Sequence, residues 1–221
     1  MKAIFAFIFL ISAFTFAYPQ NEQSPVVEKD LGYKDWTYKN LNGGGETNLR
    51  QFAKGKKLVM VVYWAPWCPN WRHDVAFVQG LHTKYAKDGL AVIGVGEYDT
   101  ADKMKQHFEQ YKLSFPSVYE STALSERLTT VHHAQRTAAG DTRKWGSPWY
   151  VFLEPGKLQP GGDVLATRVS LVNGELIKPD AEKFIREKLG LTAAGGPGAV
   201  GKAKEIEVCE PLSEKAVLVK P

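Results

Sequence analysis

"VVYWAPWCPNWRHD", Val61 to Asp74, is the stretch whose reading decides the fold. The apolar run that leads into it, Leu58 to Trp64, shows no alternation, as a strand buried on both faces of a parallel sheet does. Pro69 suits the first position of a helix and Cys68 its cap. Val75, Val78, Leu81 and Tyr85 then recur at helical spacing, and Asp88-Gly89 ends the helix. A cysteine at such a strand-to-helix turn usually has a second cysteine three positions on. Here Trp71 occupies that position.

Downstream, "LAVIGV" (Leu90 to Val95) reads as a second buried strand, and "TADKMKQHFEQYK" as an amphipathic helix with Met104, Phe108 and Tyr111 on one face. A short strand follows Pro116. Leu124 to Val131 is compatible with a helix, whereas His132 to Gly146 has no period and reads as a loop. "PWYVFLEPG" is a strand ending in a turn. Asp163 to Ile177 reads as an edge strand with a hairpin turn at Asn173-Gly174, and Asp180 to Leu189 as a last helix stopped by Gly190. Upstream, the chain alternates from Asp35, turns at Gly43-Gly44-Gly45, and has a short segment around Leu49 and Phe52. Parallel strands joined by helices, then an antiparallel hairpin and a closing helix, make an α/β sandwich.

The 221 residues carry 44% hydrophobic and 24% charged side chains, ordinary values for one globular domain with appendages. The net charge of +4 is spread along the chain, so no nucleic-acid-binding patch is expected. Lys2, the apolar stretch Ala3 to Ala17 and its small residues before polar sequence read as a secretory signal peptide over 1–17. That stretch is short of the ~20 apolar residues of a spanning helix. The expectation is an exported protein, periplasmic or extracellular, with no integral membrane segment after cleavage. A linker over 18–34, a domain over 35–191 and a Gly-rich linker with a C-terminal tail over 192–221 complete the division.

The segment "VVYWAPWCPNWRHD" resembles the active-site segment of thioredoxin-fold proteins, in particular the exported TlpA-like/redoxin branch. Trp64, Ala65, Trp67, Cys68, Pro69 and Arg72 fit that pattern and Trp71 departs from it. "LRQFAKGKKLVMVVYWA", "LAVIGVGEYDTADKMKQHFEQYKLSFPSVYE" and "GSPWYVFLEPG" extend the likeness over about Asp35 to Leu191. The resemblance implies a thioredoxin-like three-layer α/β/α sandwich with a central mixed sheet. It also implies thiol-disulfide oxidoreductase activity on protein or low-molecular-weight thiols and disulfides, and a cis-proline at Pro148.

Cys68, at a helix N-terminus with Arg72 nearby, is expected to be an acidic, surface-presented thiol. A mixed disulfide formed there needs a second thiol to resolve it, and Trp71 supplies none. An external thiol could act, or Cys209, the only other cysteine. Nineteen residues separate Gly190 from Cys209, roughly 65 Å fully extended, so Cys209 can reach. The alternative is a non-catalytic binding or structural module with Cys68 tied to Cys209. Trp67, Pro69, Trp71, Arg72, Ser147 and Trp149 are the expected substrate-binding residues, with Trp67 and Trp71 as an exposed aromatic rim and Trp64 in the core. A peroxidase is the less favoured reading, because Ala65 stands where a peroxidatic site carries Thr or Ser. No cofactor motif appears and no metal site is expected: no second cysteine lies at ligand spacing, and His132-His133 reads as exposed loop. Asp74 reads as a helix-surface charge, and Glu97 as a loop glutamate at a strand's C-terminal end.

Overall fold

The computed structural model describes residues 22–191. In chain order these form β1 (Gln23–Ser24), β2 (Val27–Lys34), β3 (Thr37–Asn40), β4 (Glu46–Asn48), α1 (Leu49–Ala53), β5 (Leu58–Trp64) and α2 (Pro69–Tyr85). There follow β6 (Leu90–Gly96), α3 (Ala101–Gln110), β7 (Ser117–Tyr119), α4 (Val131–Ala138) and β8 (Trp149–Leu153). The last elements are β9 (Val164–Val172), β10 (Glu175–Leu176) and α5 (Lys178–Lys188). No described helix is long and apolar enough to cross a membrane.

Eight strands make one mixed sheet in the order β2-β9-β8-β5-β6-β7-β3-β4. The neighbours β5, β6 and β7 run parallel, and β8 lies antiparallel against β5. Every residue of β5 and β6 is buried, as the unbroken apolar runs predict. Because side chains alternate across a strand, β5 feeds two cores. Leu58, Met60, Val62 and Trp64 pack with Val75 and Val78 of α2, Met104 of α3 and Ile185 of α5. Val59, Val61 and Tyr63 pack on the other face with Leu49 of α1 and the Ala139 that ends α4. The result is the three-layer, thioredoxin-like α/β/α sandwich that the resemblance implies, with α2, α3 and α5 on one face. Gly94 has a packing reason: a Cβ there would stand 2.8 Å from both Ser117 Oγ and Trp64 Nε1.

Three sequence expectations are corrected. Val27–Lys34, placed in the linker, is the edge strand β2, paired antiparallel with β9. Its Glu28, Lys29 and Asp30 are exposed, and an edge strand with such a polar face carries no apolar signal. Asp163 to Ile177 is consequently not an edge: β9 lies between β2 and β8, and the Asn173-Gly174 turn leads to β10, which pairs in parallel with β1 rather than folding back. The loop assigned to His132–Gly146 begins as α4, capped by the Thr130 hydroxyl, which accepts from the His133 N–H. The buried residues of α4 are His132, Gln135 and Arg136, so its inward face is polar and leaves no hydrophobic period.

Candidate active site

Cys68 caps α2 in an extended conformation (φ −72°, ψ 119°), with Pro69 in the first helical turn. Its carbonyl accepts from the Arg72 N–H at 3.1 Å, and its own N–H donates to the Ala65 carbonyl at 3.1 Å. Across from it lies the loop before β8, where the Ser147–Pro148 peptide bond is cis, as expected. The Ala65 N–H donates to Ser147 Oγ at 3.1 Å, and Cys68 Sγ sits 3.2 Å from the Ser147 carbonyl oxygen. Strand end, helix start and proline loop therefore meet at one sulfur. That sulfur is fully buried rather than presented at the surface, and it is disulfide-bonded rather than a free thiol. Cys209 lies outside the described residues.

The expected aromatic rim is only partly there. Trp67 is half-buried, packs edge-on against Trp145 at 5.2 Å and donates from Nε1 to the Tyr98 carbonyl at 3.4 Å. Trp71 is fully buried instead, tilted against Trp64 with ring centroids 5.9 Å apart. Its Nε1–H donates to His107 Nε2 at 2.9 Å, so the neutral His107 ring carries its proton on Nδ1. Burial, helped by the Arg72 charge, pushes His107 down to about 4 and keeps that acceptor available. Trp149 is buried too, its Nε1 donating to Asn173 Oδ1 at 2.8 Å. The reason is common to both: each indole N–H finds a partner inside, so nothing holds the ring at the surface. Trp64 is core, as read.

The proline loop is fixed by residues that no motif announced. Arg143 donates from Nε and Nη2 to both oxygens of Asp141 (3.0 and 2.7 Å) and from Nη1 to Glu22 at 2.9 Å. It also donates to the carbonyls on either side of the cis bond, Ser147 at 3.4 Å and Pro148 at 2.9 Å. All five guanidinium N–H groups are thereby used. His132, fully buried and stacked on Tyr63 (4.6 Å, 7°), places Nε2 3.2 Å from the Gly146 carbonyl and Nδ1 3.0 Å from the Tyr98 hydroxyl. Its reading as exposed loop is thus corrected. Gly146 has φ +62° and leaves no room for a Cβ beside the Arg136 side chain. Glu97 is fully buried, accepts from the Ser121 hydroxyl, and is raised well above the carboxylate range by burial. Burial likewise drives His132 well below its ordinary value. The 3.8 Å between His132 Nδ1 and Glu97 Oε1 therefore separates two neutral groups, not an ion pair.

A second polar cluster lies along α2. Asp74 is fully buried, not a surface charge: its Oδ2 accepts from the Tyr150 hydroxyl and the Leu176 N–H, both at 2.8 Å. Its Oδ1 lies 3.5 Å from His73 Nδ1 and 3.8 Å from Lys178 Nζ. Glu175 stands 3.1 Å from the same His73 nitrogen. Burial, reinforced by the Asp74 charge, pushes Glu175 up from 4.5 to about 7, and the hydrogen bond with Asp74 raises His73. Both groups hold their protons more tightly folded than unfolded. Their stabilising contribution is full below the unfolded values and is lost as pH rises through the folded ones. The stability of wild type relative to Glu175→Gln, read from urea midpoints, is expected to fall between pH 5 and pH 8. A difference between the two that stays level or rises over this window would contradict it.

A groove of about 820 Å³ opens at Pro66 and Trp67, which precede Cys68 in the chain; Arg72, Tyr98, Lys103 and Leu124 are among its other lining residues. Arg72 is exposed, and its Nε donates to the Pro66 carbonyl at 3.1 Å. Pro69 is half-buried, and Ser147 and Pro148 are buried. Among the described residues no group of three or more His, Cys, Asp or Glu side chains is arranged to hold a metal ion.

Known proteins resemble this chain in both sequence and fold. The thioredoxin-like protein YneN of Bacillus subtilis is 33% identical over 95 residues, covering 41% of this chain and 53% of that protein. The thiol-disulfide oxidoreductase ResA of Oceanobacillus iheyensis is 24% identical over 113 residues, 49% of this chain and 58% of the relative. The chain thus matches a little over half the length of these curated relatives. Among solved structures, a secreted thiol-disulfide isomerase from Corynebacterium glutamicum aligns with a TM-score of 0.54 at 17% identity, over 80% of this chain and 98% of the other. A DsbF homologue from Corynebacterium diphtheriae gives 0.52 at 18% identity, over 78% and 99%. These structures agree with the thioredoxin-like fold. A match to the AhpC/TSA family runs over residues 32–143, just over half of the chain, so the chain belongs to the AhpC/TSA family.

Proposed function

We propose that the protein is an exported thiol-disulfide oxidoreductase that works through Cys68. The observation that carries the reading is the meeting of Cys68, at the N-terminus of α2, with the Ser147–Pro148 loop at 3.2 Å. Once reduced, the Cys68 thiolate attacks one sulfur of a substrate disulfide, a mixed disulfide forms, and the other sulfur leaves as a thiolate. The unpaired N–H groups and dipole at the helix N-terminus favour the attacking thiolate. Trp67, Pro69, Arg72 and the Ser147–Pro148 backbone form the substrate-binding surface. Trp71 and Trp149, being buried, act by packing. Resolution falls to a second thiol, and Cys209 is the candidate within the chain. The substrates are protein or low-molecular-weight disulfides. The YneN and ResA likenesses and the family match support this chemistry. Ala65 leaves no hydroxyl where a peroxidatic site carries one, which disfavours peroxidase. Export rests on the signal-like segment 1–17, which lies outside the described residues.

The test is a single turnover. Protein reduced with dithiothreitol and desalted is mixed with dithiobis(nitrobenzoate) and followed by absorbance and mass. The expected result is attack at Cys68 within minutes in the folded protein, abolished in Cys68→Ser. Reaction at Cys68 only after denaturation would sink the oxidoreductase reading and favour a binding or structural module.

A further inference from the structure

The groove at Pro66 and Trp67 has two chemical characters at once. Trp67 and Leu124 give it apolar surface, with Leu124 41% exposed. Arg72 and Lys103 give it positive charge; Lys103 is 3.3 Å from Asp99, while Arg72 uses only Nε on a backbone carbonyl among the bonds described. An occupant that alternates acidic and apolar side chains, and that carries a sulfur past Pro66 and Trp67 toward the neighbouring Cys68, would satisfy both.

One segment of this chain has that chemistry. Glu205-Ile206-Glu207-Val208-Cys209-Glu210-Pro211-Leu212 alternates acid and apolar residue around the second cysteine. In an extended conformation such alternation puts Ile206 and Val208 on one face and Glu205, Glu207 and Cys209 on the other. Eighteen residues run from Leu191, the last described, to Cys209. Fully extended they span about 60 Å, several times the ~15 Å radius of gyration of such a domain. Cys68 is disulfide-bonded, and the chain contains two cysteines.

We propose that Glu205–Leu212 docks in this groove as an internal substrate and delivers Cys209 as the resolving thiol that Trp71 cannot be. The proposal rests on the oxidoreductase reading and completes its cycle. Cys68 thiolate attacks a substrate disulfide and releases the first substrate thiolate. Cys209 thiolate then attacks the Cys68 sulfur of the mixed disulfide, and the second substrate thiolate leaves. The substrate disulfide has gained two electrons, the two cysteines have lost two and form one bond, and each leaving thiolate takes a proton from solvent at its own pKa. An external dithiol reverses the last bond and reopens the groove. The bridged chain is the resting, self-covered form.

The experiment uses the full mature chain, reduced and mixed with one equivalent of dithiobis(nitrobenzoate). Wild type is expected to release two equivalents of nitrothiobenzoate and end with no adduct and one Cys68–Cys209 peptide on mapping. Cys209→Ser is expected to release one equivalent and to keep the adduct on Cys68. Glu205→Lys/Glu207→Lys/Glu210→Lys is expected to slow the second release at least tenfold, and added salt to slow it in wild type but not in that variant. Two outcomes overturn the proposal: a persistent adduct in wild type, or equally fast loss of the adduct in Cys209→Ser. A second release unaffected by charge reversal overturns groove docking. Failure of the first release, in any variant that retains Cys68, overturns the oxidoreductase reading instead, so the two failures are told apart.

Discussion

Trp71→Ala is expected to lower the unfolding free energy by about 3–5 kcal/mol, the range for truncating a large buried aromatic. The indole is fully buried between Trp64 and His107 at the start of α2. Its removal leaves a cavity and strips His107 Nε2 of its donor inside the protein. Urea unfolding should show a lower midpoint with an unchanged slope. A loss below about 1 kcal/mol would mean that the side chain is not part of the core. Trp71→Cys carries the same packing cost but restores a thiol three positions after Cys68. At a temperature where that variant remains folded, it is expected to reduce insulin faster than the parent. A folded variant with no gain would show that the missing thiol is not what limits local resolution.

The second large effect is expected at Arg143. Removing one partner of a buried charge pair costs about 3–5 kcal/mol, because the other charge is left in place without compensation. Asp141 is 3% exposed and takes two of the Arg143 hydrogen bonds. Arg136 Nη1, 3.7 Å from Asp141, remains as a partial substitute, so Arg143→Met should fall near 3 kcal/mol, the low end of that range. Arg143→Met/Asp141→Leu removes both charges but leaves the buried Arg136 without its carboxylate 3.7 Å away, so it should recover only part of the loss. The double variant still lacks the donors that hold the Ser147 and Pro148 carbonyls. It is therefore expected to stay as slow as Arg143→Met in forming the Cys68 adduct even as its stability rises above that of the single variant. A rate that recovers together with stability would assign Arg143 to charge pairing alone.

Two features explain why these residues differ in legibility. Trp71 stands out in the sequence as a departure at a known spacing, yet the sequence does not place it in the core. A tryptophan on the first turn of a helix can face solvent or core, and the sequence carries no sign of His107, 36 positions away, as its hydrogen-bond partner. Arg143 was not visible at all. It sits in "AAGDTRKWG", which has no period, and its function depends on carboxylates and carbonyls that only folding brings together. The same holds for His132 and Asp74: a buried polar side chain looks in sequence like an exposed one, because what distinguishes them is a partner elsewhere in the chain.

What the sequence determined by itself was the framework. Unbroken apolar runs too short for a helix and bounded by turn residues read as strands covered on both sides, and Leu58–Trp64 and Leu90–Gly96 are those strands. Pro69 after Cys68, with apolar residues at helical spacing behind it, fixed α2 and placed the sulfur at its cap. These are local rules of backbone and hydrophobic period, and they need no knowledge of distant partners. The tertiary structure alone decided the edge strand β2, whose polar face hides its pairing with β9, and the polar inward face of α4. It decided also that Cys68 is buried against the Ser147 carbonyl and that Trp71 turns inward. Each of those outcomes depends on hydrogen bonds between residues far apart in sequence, and hydrophobic pattern does not encode them.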